Sequence, residues 1–201
     1  MPREPVIVVL VCSSLAALMT AFGALPFIDS RRERPRLIGL AEAAAAGLML
    51  GAAYLLMLRA LDRGALWAVV GAGLGVGYTL SIQWYADVQE IDVDRDSPIF
   101  GYKLLLQNVL HSASEGVAIG VAMVLELRLG IFVAFALGVH NIAEGVALSG
   151  VLRDRGMPVR QAAGVCVAAK SSQPLFALAI FALEPVLGGG WLTPLLGLAA
   201  G

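Results

Sequence analysis

Two stretches of the chain repeat one arrangement: His111-Ser112-Ala113-Ser114-Glu115-Gly116 and His140-Asn141-Ile142-Ala143-Glu144-Gly145, each followed by Val-Ala. They contain both histidines of the protein. In each, a glutamate follows the histidine by four residues, a spacing that puts the pair on one face of a helix with Cβ atoms about 6 Å apart. Neutral imidazole nitrogens and carboxylate oxygens, two of each, form a ligand set suited to zinc and neighbouring divalent metals. A single histidine or glutamate in such a place is as readily an interhelical hydrogen-bond partner. The duplication, which takes up every histidine, argues for His111, Glu115, His140 and Glu144 as metal ligands. The order is histidine before glutamate, unlike the H-E-x-x-H helix of zinc hydrolases, and there is no multi-histidine box. An enzyme is therefore not expected. An intramembrane metalloenzyme and a homologue that binds metal without moving it are the alternatives to a transporter.

The elements that would position these pairs are membrane spans. Of the 201 residues, 59% are hydrophobic and 14% charged, with a mean hydropathy of +0.82. A soluble domain carries about a quarter charged residues, and this much apolar surface calls for lipid rather than a core. Apolar runs lie near 5–28, 37–61, 64–86, 100–125, 129–152 and 160–185, each near the length of about 20 residues that a span requires. The closing stretch, 186–201, is too short to cross. The expectation is an all-α polytopic bundle over 1–201, a single transmembrane domain of six full spans plus a truncated seventh. The run after Arg3 is longer than a signal-peptide core and is read as a retained helix. Cys12 and Cys166 fall in apolar runs without metal-ligand spacing. A net charge of −1 gives no reason to expect nucleic acid.

Arg31, Arg32, Arg34, Arg36, Arg95, Lys103, Arg153, Arg155 and Arg160 fall on one side of these spans, and Arg3, Arg59, Arg63 and Arg128 on the other. The positive-inside rule then puts the N-terminus outside the cell (inner) membrane and the 29–36, 87–99 and 153–160 loops in the cytoplasm. The acidic run Asp87, Glu90, Asp92, Asp94 and Asp96 reads as a solvated loop. His111 and His140 are each the twelfth residue of their run, near mid-span, where a charge costs about 2.5–3.5 kcal/mol on insertion scales. The two glutamates therefore need a positive partner: protons, a metal ion or Lys170. In the sixth run, Lys170 and Gln173 fall about one turn apart, on nearly the same helix face. Met49 lies midway along the second run. Gly116, Gly120 and Gly145 are small-residue packing signals.

At these motifs the chain resembles the ZIP (Zrt/Irt-like) family of divalent metal transporters, bacterial type, whose fourth and fifth helices carry H-N-x-P-E-G and a related [HQ]-[ND]-x-P-E-G. The likeness extends to FGALPF (22–27), AAGLMLGAAY (45–54), SSQPL (171–175) and GLAAG (197–201). It implies an eight-helix fold, often a homodimer, carrying Zn²⁺, or Fe²⁺, Mn²⁺ or Cd²⁺, toward the cytoplasm. The implied first metal site is Met49, His111, Glu115, His140 and Glu144. The implied second site shares both glutamates and adds Ser112, Asn141 and Gln173. Ser112 replaces the usual Asn, Asn141 stands where some members have Asp, and Gln173 replaces Glu. The second site thus keeps no carboxylate of its own, and Lys170 is expected to act there as a countercharge. Ser114 and Ala143 replace the two motif prolines, predicting straighter helices, and Leu56 stands where many members have a polar residue.

Overall fold

The computed structural model describes residues 3–28, 35–90, 98–187 and 189–201. The Arg31, Arg32 and Arg34 cluster and the 91–97 part of the acidic loop lie outside them. The described chain is helical throughout: α1 (Arg3–Met19) passing into a 3₁₀ turn (Thr20–Phe27), α2 (Pro35–Arg63), α3 (Ala65–Glu90), α4 (Pro98–Leu125), α5 (Leu127–Asp154), α6 (Val159–Ala169), α7 (Ser172–Leu187) and α8 (Leu192–Ala200). Six stretches are long and apolar enough to cross a membrane: 5–27, 35–63, 65–84, 105–125, 127–154 and 159–186. The protein is a polytopic membrane helix bundle, since in lipid only a helix satisfies its own backbone polar groups in this way. Large apolar side chains such as Leu40, Leu50, Trp67, Leu74 and Phe135 face outward, as a lipid-facing surface requires.

α5 lies at the centre, packed on α1, α2, α4 and the 3₁₀ turn, while α4 packs along α7 and α3 along α8. Among the six spans α5 is the most buried and α3 the least, which makes α5 the hub and α3 the periphery. The two motif glycines serve this packing. A Cβ on Gly116 would overlap the carbonyl of Gln173, and one on Gly145 would overlap the carbonyl of Thr20. Each glutamate is thus followed by the residue at which a neighbouring backbone comes closest, as small-residue interfaces allow in membranes.

α4 and α5 run unbroken through their motifs, as the absence of the two prolines predicts. Glu126, in extended conformation, joins them, and His111 and His140 lie almost equally far from it in sequence. An antiparallel hairpin rises equally on both arms, so the two histidines come level.

The sixth span differs from the single helix expected. It crosses as α6 and α7, with a turn at Lys170–Ser171. The cause is Pro174. A proline has no N–H to give to the carbonyl four residues earlier, and its ring clashes with that carbonyl; the residue four earlier is Lys170. The Lys170 carbonyl instead accepts from the Gln173 N–H at 3.1 Å. Pro174 then sits in the first turn of α7, where it is tolerated. Lys170 and Gln173 consequently belong to different helices, with Lys170 ending α6 and Gln173 starting α7.

Candidate metal centre

The i,i+4 spacing turns both motif pairs to the α4–α5 contact, and their ligand atoms converge. One donor atom from each of His111, Glu115, His140 and Glu144 lies within 4.8 Å of every other. The His140 Nε2 is 3.2 Å from Glu115 Oε1 and 3.2 Å from Glu144 Oε1. The His111 Nε2 is 3.2 Å from Glu144 Oε1 and 3.8 Å from Glu115 Oε1. The imidazole rings are tilted by 54° with centroids 6.2 Å apart. Both glutamates therefore turn one oxygen, Oε1, toward the two histidines.

Their other oxygens meet Lys170. Its ammonium donates to Glu115 Oε2 at 2.8 Å and contacts Glu144 Oε2. The break in the sixth span is what delivers this side chain, which is fully buried. Each carboxylate bridges, with histidine nitrogens on one side and the ammonium on the other. Two carboxylates and one ammonium leave one formal negative charge, which a proton on a histidine or a bound metal ion would balance. Left unbalanced, that buried charge would be costly to desolvate.

The donors fit a metal ion. His140 Nε2 and Glu115 Oε1 are buried and have no hydrogen-bond partner despite their proximity. A buried polar atom left unpaired costs about 1–3 kcal/mol, and a cation placed among these atoms would satisfy both. Glu115 and His140 form the closed inner wall, their side chains 1% and 6% exposed; His111 and Glu144, at 35% and 21%, form the open edge.

The other sequence-derived candidates separate. Met49 lines an apolar cavity of about 610 Å³, along with Leu56, Val133 and Leu137, that reaches His111 and Glu115. Ser112, Asn141 and Gln173 are fully buried. The Asn141 side-chain amide donates to the Ala16 carbonyl at 2.8 Å and to Gln173 Oε1 at 3.0 Å. Asn141 and Gln173 therefore tie α5 to α1 and α7, while Ser112 Oγ and Asn141 Oδ1 remain without partners. Sequence reading passed over Tyr78, Thr79 and Gln83 of α3 and Gln107 and Asn108 of α4. With His111, Ser114 and Glu144 they line a second cavity of about 300 Å³. The available signal was polar residues at i,i+4 spacing inside apolar runs: Thr79 with Gln83, and Gln107 with His111.

Fold and centre together define a class: a multi-span membrane helix bundle enclosing a His/Glu cluster competent to hold a metal ion. No protein-family model matches the chain. The chain is 30% identical over 172 residues to the Arabidopsis thaliana protein named "Putative zinc transporter At3g08650". That stretch is 82% of this chain and spans 28% of the relative's length.

Proposed function

We propose that the chain is a ZIP-type divalent metal transporter, with Zn²⁺ as its preferred cargo and Fe²⁺, Mn²⁺ or Cd²⁺ as alternatives, moving the ion toward the cytoplasm. The observation that carries this reading is the convergence of four donor atoms within 4.8 Å, two of them buried and unpartnered, in the interior of a membrane bundle. The name of the plant relative supports zinc as the cargo. The ion exchanges its waters at the exposed edge for His111 and Glu144, then takes Glu115 and His140 from the closed wall. Met49 borders the site from the apolar cavity. Such a centre between α4 and α5 suits alternating access, in which the bundle opens to one side at a time around it.

The second site of the family pattern holds no metal in this reading. Lys170 takes the Oε2 side of both glutamates, and Ser112, Asn141 and Gln173 bring only neutral groups. A second divalent ion close to the first would meet strong repulsion in a low-dielectric interior. The chain therefore binds one ion. The deciding test is Zn²⁺ uptake into proteoliposomes containing the chain, with an indicator inside. Uptake by the native chain and none by Glu144→Ala is the expected result. Binding without uptake by the native chain would refute transport, leaving a metal-binding homologue.

A further inference from the structure

Two cavities leave the His/Glu centre, and they differ in chemistry and direction. The larger runs along Ala113, Ala118, Val133 and Leu137 toward the α4–α5 connection, and is walled almost entirely by apolar side chains. The smaller extends the other way. Gln107 and Asn108 lie one turn from His111 toward the start of α4, and Gln83 lies one turn from Thr79 toward the end of α3. This chamber therefore reaches toward the α3–α4 connection. Its inner end is His111 and Glu144, the two ligands that form the open edge of the centre. Thr79 and Gln83 are exposed and Gln107 and Asn108 half-buried, with Gln83 and Gln107 near the ends of their spans, so the chamber opens outward past amides and hydroxyls placed to meet water or a ligand.

We propose that this chamber is a staging site for a hydrated divalent cation, held through its coordinated waters by Gln83, Gln107 and Thr79, and that it joins the His/Glu centre to the α3–α4 side. Its volume of about 300 Å³ has room for roughly ten waters at about 30 Å³ each, more than the roughly six of an octahedral hydrated ion. Amide and hydroxyl oxygens accept from metal-bound water without displacing it. Glu144, at the inner end, is the chamber's sole carboxylate among the described residues. An ion can therefore pause without being trapped, which conduction requires. The tyrosine ring of Tyr78, its hydroxyl donating to the Leu110 carbonyl at 3.0 Å, ties α3 to α4 beside the chamber. The larger cavity shares Tyr78, Thr79, His111 and Ser114 with the chamber at the centre, but beyond them toward the α4–α5 connection its walls are apolar and offer a hydrated ion no polar partner.

The inference rests on the metal reading of the centre, and two measurements with Zn²⁺ as the probe keep the two apart. The first is labelling by a charged methanethiosulfonate, sited by mass spectrometry. Gln107→Cys, on the polar chamber, should react and be slowed by Zn²⁺; Ala53→Cys, on the apolar cavity alone, should stay unlabelled, because only a wet thiol ionises. The second compares the native chain with a Gln83→Leu, Gln107→Leu variant. Drying the chamber should slow Zn²⁺ release by about tenfold or more in stopped flow, with the dissociation constant in titration calorimetry changed by less than about threefold. Native Zn²⁺ binding combined with an unlabelled Gln107→Cys, or with unchanged release from the leucine variant, overturns the staging site alone. A native chain that binds no Zn²⁺ overturns the metal reading and this inference with it.

Discussion

Replacing Lys170 by methionine removes one charge from the centre and little volume. In the native chain its buried ammonium is 2.8 Å from Glu115 Oε2 and contacts Glu144 Oε2. The variant leaves both carboxylates facing the bundle interior with only the two histidines beside them. Breaking one side of a buried ion pair costs about 3–5 kcal/mol. For a chain of this size each kcal/mol moves the unfolding temperature by about 2–4 °C, so the metal-free variant should unfold about 6–20 °C below the native protein. Saturating Zn²⁺ should close much of that gap, because the ion replaces the missing positive charge. Tryptophan fluorescence during heating in detergent, with chelator and then with Zn²⁺, reads both quantities. A metal-free variant within about 2 °C of native, less than the shift for 1 kcal/mol, would refute the countercharge role. So would a gap that Zn²⁺ leaves unchanged. Equilibrium dialysis with metal analysis adds a stoichiometric test: one ion in the native chain, two in the Lys170→Ala, Gln173→Glu double variant. Two tightly held ions in the native chain would contradict the reasoning outright.

Glu144→Ala should abolish Zn²⁺ binding in titration calorimetry, and His111→Ala should weaken it by about tenfold or more, one lost ligand being worth at least ~1.4 kcal/mol; unchanged affinity in either would remove that residue from the ligand set. Gly145→Ala should lower stability by about 1–3 kcal/mol, since its Cβ would overlap the Thr20 carbonyl. Gly47→Ala, with open space at its Cβ, should be neutral or stabilising by up to about 1 kcal/mol, and thermal unfolding of the pair checks both. Ser30→Cys in intact cells should resist an impermeant thiol reagent applied outside, as the arginine-rich 29–36 loop is expected in the cytoplasm; labelling there would invert the topology.

The sequence by itself determined the bundle, because a span is announced by its own composition: about 20 apolar residues satisfy their hydrogen bonds locally and need no partner to be recognised. It also determined the two His/Glu pairs as units, since an i,i+4 relation is internal to one helix. The break at Lys170 was written in it too, as Pro174 acts on the carbonyl four residues before it, although the apolar run reads through without interruption. What the tertiary structure decided is everything that depends on two helices at once. Ser112, Asn141 and Gln173 look alike in sequence as neutral replacements, yet Asn141 and Gln173 bond to each other and hold α5 to α7. Met49 is an ordinary apolar residue until the α2 packing sets it on the cavity beside His111. Thr79, Gln83 and Gln107 are scattered polar positions on two helices, and become one chamber only when α3 lies against α4. The direction of the Lys170 side chain was likewise undetermined, because a lysine in a span can reach along its own helix or across to another. Here the turn that Pro174 imposes points it at both glutamates, and the energy that keeps it there belongs to residues 26 and 55 positions away in the chain.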